Sequence, residues 1–392
     1  MLIGIVGRPN CGKSTFFKAA TLMDVLIANY PFATIKPNHG MAYVKIDDLA
    51  AKFGKISNPR EGYVKNGKRF VPFELVDVAG LVEGASAGRG LGNEFLNDLA
   101  SADAFIHVID MSGETDGEGK PAENYYPGKD IEIIEKELDL WYLGILKKAW
   151  AGFARTIEMQ HTNFAEAVAK QFSGLKVTME DVKHVLLKSG LNPEKPTSWS
   201  EADLANFSRM LRKSTKAMII AANKMDRPNS EANFAKIKKE FDYPIVPCFA
   251  DGELSLRQAD KAGLIEYIQG EKAFEVKKTL GEKQKEALEQ IKKIIAKYGS
   301  TGIQEVLNRV VFEILNYIAV FPASSTKLTD SKGNVLPDCY LMPPGSTALD
   351  FAFRLHTDIG KNFVKAINIH TKQAVGKDYA IKHLDGLEIL TK

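Results

Sequence analysis

Residues 2–15, LIGIVGRPNCGKST, carry a β-branched apolar segment into a glycine-flanked loop, and a stretch of helical composition follows over 14–23. Strand, loop and helix in that order are expected, and the loop Gly7-Arg8-Pro9-Asn10-Cys11-Gly12-Lys13-Ser14 matches GxxxxGK[ST] in the context that makes the pattern specific. Glycines suit a backbone that must wrap a phosphate with its N–H groups, and a Cβ at Gly12 would obstruct that approach. Lys13 then supplies charge to the β- and γ-phosphates, and the Ser14 hydroxyl is a Mg²⁺ ligand. The helix that carries Thr15 turns its positive end toward the anion.

Working outward, apolar strands are expected at 71–76, 104–109, 217–222 and 243–249, alternating with helical segments. This is an α/β pattern: a mostly parallel sheet with helices on both faces and its ligand at the carboxyl ends of the strands. Two further motifs stand at such ends. Asp77-Val78-Ala79-Gly80 offers a carboxylate to the Mg²⁺ shell and a glycine N–H to the γ-phosphate. Asn223-Lys224-Met225-Asp226 reads as a base-selecting loop. The Asp226 carboxylate accepts from guanine N1–H and the 2-amino group, and adenine lacks both donors, so GTP is expected over ATP. Asn223 fixes the loop and touches the base, and the Lys224 stem covers the base face.

Composition agrees with a folded chain of two or three domains. Of 392 residues, 45% are hydrophobic and 26% charged, which excludes wholesale disorder and fibrous repeats. Lys+Arg 52 against Asp+Glu 49 leaves a formal charge of +3, too balanced to announce nucleic acid by itself. Three cysteines without CxxC spacing argue against a disulfide framework or structural zinc, and with no long apolar run a cytoplasmic protein without membrane attachment is expected. Helical segments at 131–150, 153–172, 179–189 and 201–213 fill the gap between the third and fourth strands and read as an inserted helical subdomain. Two more, 282–297 and 303–317, lead to short strands and turns around one helical piece at 347–356.

GRPNCGKST, NYPFATIKPNHG, DVAGLVEGASAGRGLGNEFL and NKMD together resemble the Obg superfamily of GTPases in its YchF-related branch, and LMPPGSTALDFAFRLHTDIGKNFVKAI is similar to a TGS domain. The resemblance covers essentially the whole chain. It implies an α/β P-loop NTPase: a parallel-sheet G domain (1–118 and 214–275) with an inserted helical subdomain (119–213). A helical connector (276–317) and a small ubiquitin-like α+β TGS domain (318–392) complete it. It implies GTP binding with slow hydrolysis to GDP, Mg²⁺ as cofactor, and ribosome or RNA contacts through the insertion and the TGS domain. Some members of the wider branch carry Glu at the fourth motif position and take ATP, whereas Asp226 keeps the guanine pattern.

By the same resemblance Thr34 is the switch I ligand of Mg²⁺ and the γ-phosphate, and 84–92 is switch II. Phe249 and Ala250 occupy the base loop, where the Ala250 N–H meets guanine O6. Asn10 sits where GxPNxGKS loops often coordinate K⁺, a brace within the loop being the other reading. Leu81 follows Gly80 where many GTPases place a water-orienting glutamine, so slow intrinsic turnover is expected. Two alternatives stay open: a nucleotide-gated ribosome- or RNA-binding module with negligible hydrolysis, and an ATPase of the same fold. Cys11 reads as a small loop residue, with a redox role as its rival. Arg354, Lys361 and Lys365, and the lysines of 282–297, are either phosphate contacts or solvated surface.

Overall fold

The computed structural model describes residues 1–21, 39–77, 100–148, 150–324, 326–330 and 332–392. Thr34, Gly80, Leu81 and the 84–92 segment lie outside them.

Strand β1 (Leu2–Val6) is the central strand of a seven-stranded sheet. On one side it pairs in parallel with β4 (Lys68–Asp77), on the other with β5 (Ala104–Asp110), which pairs with β6 (Ala217–Asn223) and then β7 (Ile245–Pro247). Because the chain leaves β1 toward β4 and returns to the other side at β5, the carboxyl end of β1 opens a crevice at a topological switch point. The expected 71–76 strand is longer at both ends, and the expected 243–249 strand is cut to three residues.

Two antiparallel strands escape the sequence pattern: β2 (His39–Asp47) and β3 (Tyr63–Lys65), both paired to β4. β2 is the sheet edge among the described strands, and side chains of α10 (Ile303–Arg309) bond backbone groups at Tyr43 and Lys45. Asn308 Oδ1 accepts from the Lys45 N–H at 2.9 Å, Asn308 Nδ2 donates to Lys45 O at 2.7 Å, and Gln304 Nε2 donates to Tyr43 O at 2.8 Å. Amide side chains thus stand in for a further strand and close the edge.

Helix α1 (Lys13–Thr21) follows the loop after β1. The second crossover is long. Helix α2 (Gly128–Lys147) buries Ile131, Ile134 and Leu138 against the sheet, then Tyr142 and Leu146 against the inserted helices. One rigid rod therefore serves two cores, each fully buried aliphatic contributing about 1.5–3 kcal/mol. The segment 153–172, expected as one helix, is two, α3 (Trp150–Gln160) and α4 (Phe164–Gln171); Asn163 breaks the run by capping the second, accepting from the Glu166 N–H. α5 (Met179–Ser189) and α6 (Glu201–Thr215) both open on capping boxes, Thr178/Asp181 and Ser200/Asp203. Trp150, Phe164, Trp199 and Phe207 cluster between these helices.

After β6 come α7 (Ser230–Glu240), α8 (Ala250–Lys261), the hairpin β8 (Ile265–Tyr267) and β9 (Phe274–Val276), and α9 (Glu282–Tyr298). The helix expected over 303–317 is α10 followed by a π turn, Val310–Ile314. Its wider winding lets Val310 and Val311 both face the core shared by Ile303, Val306 and Leu307.

The last domain is a five-stranded sheet in the order β11 (Tyr340–Met342), β10 (Ile318–Pro322), β14 (Gly386–Thr391), β12 (Phe363–Asn368), β13 (Ala374–Val375). Helices α11 (Ala348–Leu355) and α12 (Thr357–Lys361) accompany it. This sheet is welded to the first domain. Phe321, Leu336 and Ile369 share one core with Leu49 and Val71. The buried Arg69 guanidinium donates to the carbonyls of Leu336 and Pro337, the latter at 3.0 Å, and lies over the Phe321 ring.

Candidate nucleotide site

The loop between β1 and α1 has the shape its glycines predict, but Gly12 answers to a different neighbour. Its φ is 99°, and a Cβ there would lie 2.2 Å from Asn223 Nδ2, so a side chain from the far motif already fills the space. At Gly7 a Cβ would meet the Val108 carbonyl at 2.5 Å. Cys11 is buried, and burial pushes its thiol above the ordinary value despite Lys13 and Arg8 nearby. That direction disfavours the thiolate a redox role would need.

Lys13 is buried, its ammonium donating to Arg8 O at 2.8 Å across the loop. Ser14 Oγ donates to Asp77 Oδ2 at 3.1 Å, which brings two hard oxygen donors from separate motifs together, a set suited to Mg²⁺. The parallel register Ile5↔Asp77 puts the carboxylate beside the loop, and burial raises it above its ordinary value against the pull of Ser14 and Lys13. Thr15 is partly exposed on the first turn of α1.

Arg8 departs from a phosphate-facing role. Its guanidinium is turned into the protein, donating from Nε to Asp130 Oδ2 at 2.6 Å and from Nη1 to Thr115 Oγ1 at 2.7 Å and Asp116 O at 2.6 Å. It also lies over the Tyr125 ring, whose hydroxyl donates to the other Asp130 oxygen at 2.8 Å. Asn10 donates from Nδ2 to Gly119 O at 3.0 Å, and Pro9 abuts the same glycine. The excursion 111–127, between β5 and α2, thereby lies against the outside of the phosphate loop.

The base motif docks from β6. Asn223 donates from Nδ2 to Cys11 O at 3.0 Å and accepts the Ala250 N–H on Oδ1 at 3.1 Å, both buried. One amide therefore holds the phosphate loop, its own loop and the 248–250 segment in one piece. That segment extends the β6–β7 pairing, with the Cys248 N–H on Ala222 O at 2.7 Å, and Ala250 opens α8 rather than lying in a free loop. Phe249 packs over Gly252 and donates its N–H to Thr301 O at 2.9 Å. Arg257 of α8 donates to Ala20 O at 3.0 Å, capping α1 and pinning the phosphate helix to the base helix. Asp226 stands exposed, with partial desolvation pushing its carboxyl up and Arg227 Nε at 3.4 Å.

Asp110, at the end of β5, was missed by sequence reasoning, as were Thr115 and Asp130. The available signal was an acidic residue closing the apolar run FIHVID at a carboxyl strand end. Asp110 is fully buried; burial opposes its charge, but hydrogen bonds from Lys224, Ser112 and Thr115 prevail and hold it below the ordinary value. His107 on the same strand is also fully buried, and neither ring nitrogen has a hydrogen-bond partner among the described residues.

Three of the other basic groups singled out in the sequence are engaged within the protein. Arg354 lies over the Tyr340 ring, Lys292 pairs with Glu289 at 2.6 Å, and Lys297 pairs with Glu231 at 2.5 Å.

Three family models match the chain. They are 50S ribosome-binding GTPase over residues 2–141, the Obg-like GTPase YGR210-like, G4 motif-containing domain over 221–325, and TGS domain over 329–391. An uncharacterized GTP-binding protein of Methanocaldococcus jannaschii is 44% identical over 394 residues, spanning 100% of this chain and 99% of its own length. The ribosome-binding ATPase YchF of Buchnera aphidicola subsp. Acyrthosiphon pisum is 29% identical over 367 residues, 93% of this chain and 86% of its own. A solved GTP binding protein from Pyrococcus horikoshii OT3 superposes with TM-score 0.80 at 39% identity over 100% of both chains.

Proposed function

The chain belongs to the YchF-related branch of the Obg-like GTPases with a C-terminal TGS domain, and on that premise we propose that it is a slow, Mg²⁺-dependent GTPase switch. Its GTP and GDP states would be read by a ribosome or RNA. The observation that carries the reading is the Asn223 brace, which seats a guanine-type NKMD loop directly on a phosphate loop.

Each residue then has a task. Backbone N–H groups of 7–15 and the Lys13 ammonium take the phosphates. Ser14 and Asp77 would hold Mg²⁺, which supplies charge against the β- and γ-phosphates, with Thr34 completing the set and Gly80 meeting the γ-phosphate. Asp226 accepts from the guanine edge, while the Ala250 N–H, expected on guanine O6, is donated to Asn223 Oδ1, so Ala250 would brace the base loop rather than meet O6. Asn10, anchored through Nδ2, leaves Oδ1 as the atom that would meet K⁺. With Leu81 offering nothing to orient water, turnover is slow until a partner or cation assists. Equal GTP turnover in potassium and sodium, with a competent partner present, would remove the K⁺ role.

A second reading has support in the name of the Buchnera relative, an ATPase. Competition binding of Mg·GDP against Mg·ADP separates the two: two base donors on Asp226 at about 2 kcal/mol each give a guanine preference of about 10³-fold, and equal affinities would refute it. Co-sedimentation with ribosomes in GDP and in a nonhydrolysable GTP analogue tests the switch; binding that ignores the nucleotide would sink it.

A further inference from the structure

β5 lies between β1, whose end becomes the phosphate loop, and β6, whose end becomes the NKMD loop. Any side chain closing β5 therefore sits between the two halves of the nucleotide site, and the residue there, in register with Asn223, is Asp110. Its carboxylate is shared. Oδ2 accepts from Lys224 Nζ at 2.8 Å and Thr115 Oγ1 at 2.9 Å, with Arg8 Nη2 at 3.8 Å; Oδ1 accepts from Ser112 Oγ at 2.6 Å and the Ser112 N–H at 3.0 Å. Thr115 in turn accepts from Arg8, so the phosphate loop and the base loop meet at one buried anion.

The consequence falls on Lys224. A lysine stem free to sweep through its rotamers is a poor platform for a flat ring, because ordering it on binding costs affinity. Here the ammonium is tethered and the backbone is held at φ 62°, so the stem is fixed at both ends before a ligand arrives. Two cations, Arg8 and Lys224, face two carboxylates, Asp110 and Asp130, so the buried charges are paired with one another.

We propose that Asp110 is a positioning residue for purine recognition, anchoring Lys224 so that its stem is preset over the base face. The proposal rests on the purine reading of the NKMD loop given above, which assigns the base-covering role to Lys224 and leaves its anchor unassigned.

Calorimetry on the full chain with two probes, Mg·GDP and Mg·tripolyphosphate, tests it. Asp110→Asn is expected to weaken GDP about tenfold, the order expected for losing one preordered long side chain, and to leave tripolyphosphate within about twofold. Lys224→Met should show the same selective loss, and the double variant should bind GDP no worse than Lys224→Met alone, since Asp110 acts through Lys224. Equal losses for both probes, an additive double variant, or wild-type GDP affinity in Asp110→Asn would each overturn the proposal. Should Asp110→Asn not fold, Thr115→Val loosens the carboxylate without removing its charge; a GDP-selective loss supports the anchor and a nonselective one or none refutes it. Failure of the underlying reading is distinguishable, because it shows in the wild-type protein as tripolyphosphate uptake without any purine nucleotide preference.

Discussion

Asn223→Ala removes a donor to the Cys11 carbonyl, 3.0 Å away, and an acceptor for the Ala250 amide, 3.1 Å away, both buried. A buried peptide group stripped of its partner costs about 1–3 kcal/mol. With partial relief from water entering the crevice, the pair comes to about 3 kcal/mol, on the order of a hundredfold in Kd if the loops must still be assembled around the ligand. The assay is calorimetric titration of the full chain with Mg·GDP, paired with urea unfolding of the nucleotide-free protein. Asn223→Asp is the control that separates the two bonds: it keeps an acceptor for Ala250 but points an acceptor at Cys11 O, so it should do no better than alanine. GDP affinity within about threefold of wild type in Asn223→Ala would refute the claim that this amide assembles the site.

Gly12→Ala should destabilise less in an Asn223→Ala background than in wild type, because the 2.2 Å clash disappears while the strain at φ 99° remains; urea midpoints of the four variants measure the difference. Arg69→Met leaves the Leu336 and Pro337 carbonyls unpaired between the two domains and should cost about 2–4 kcal/mol, read from urea unfolding and from hydrogen exchange across 328–337. Lys216 is buried on the Ala100 and Ala102 carbonyls, and burial lowers its ammonium from 10.5 to about 8. Between those values the unfolded chain holds a proton that the folded chain has released, so this residue makes stability rise with pH across that window, and Lys216→Met should flatten that part of the profile. His107 is held neutral by burial down to about pH 3 instead of 6.5, so acidification from 6.5 toward 3 protonates only the unfolded chain and lowers stability; His107→Leu should remove that component, and ring NMR shifts in the wild type should show a neutral imidazole at pH 5.

The phosphate loop, the Asp77 carboxylate and the NKMD loop were legible because each is a local device. A backbone that must curl around an anion needs glycine at fixed spacing from a lysine, and a ligand-bearing strand end announces itself where an apolar run stops. The bounds of α5 and the start of β10 at Ile318 were legible for a similar reason, since capping residues and a change of periodicity lie within a few positions of each boundary. β2 and β3 were harder to see, because an edge strand and a three-residue strand carry little alternation to read.

Sequence alone determined, then, that the chain carries a phosphate loop, a separate NKMD motif at a strand end and a change of architecture near residue 318. Tertiary structure decided the rest: that Gly12 makes room for Asn223, that Arg8 faces Asp130, 122 positions away, and that Asp110 joins the two motifs. It also decided that the last domain shares a core with the first through Arg69, Phe321 and Leu336. The physical reason is that these partners are chosen by the lateral order of the strands, and that order is settled by which faces can be buried together across the whole chain, a quantity no local window contains.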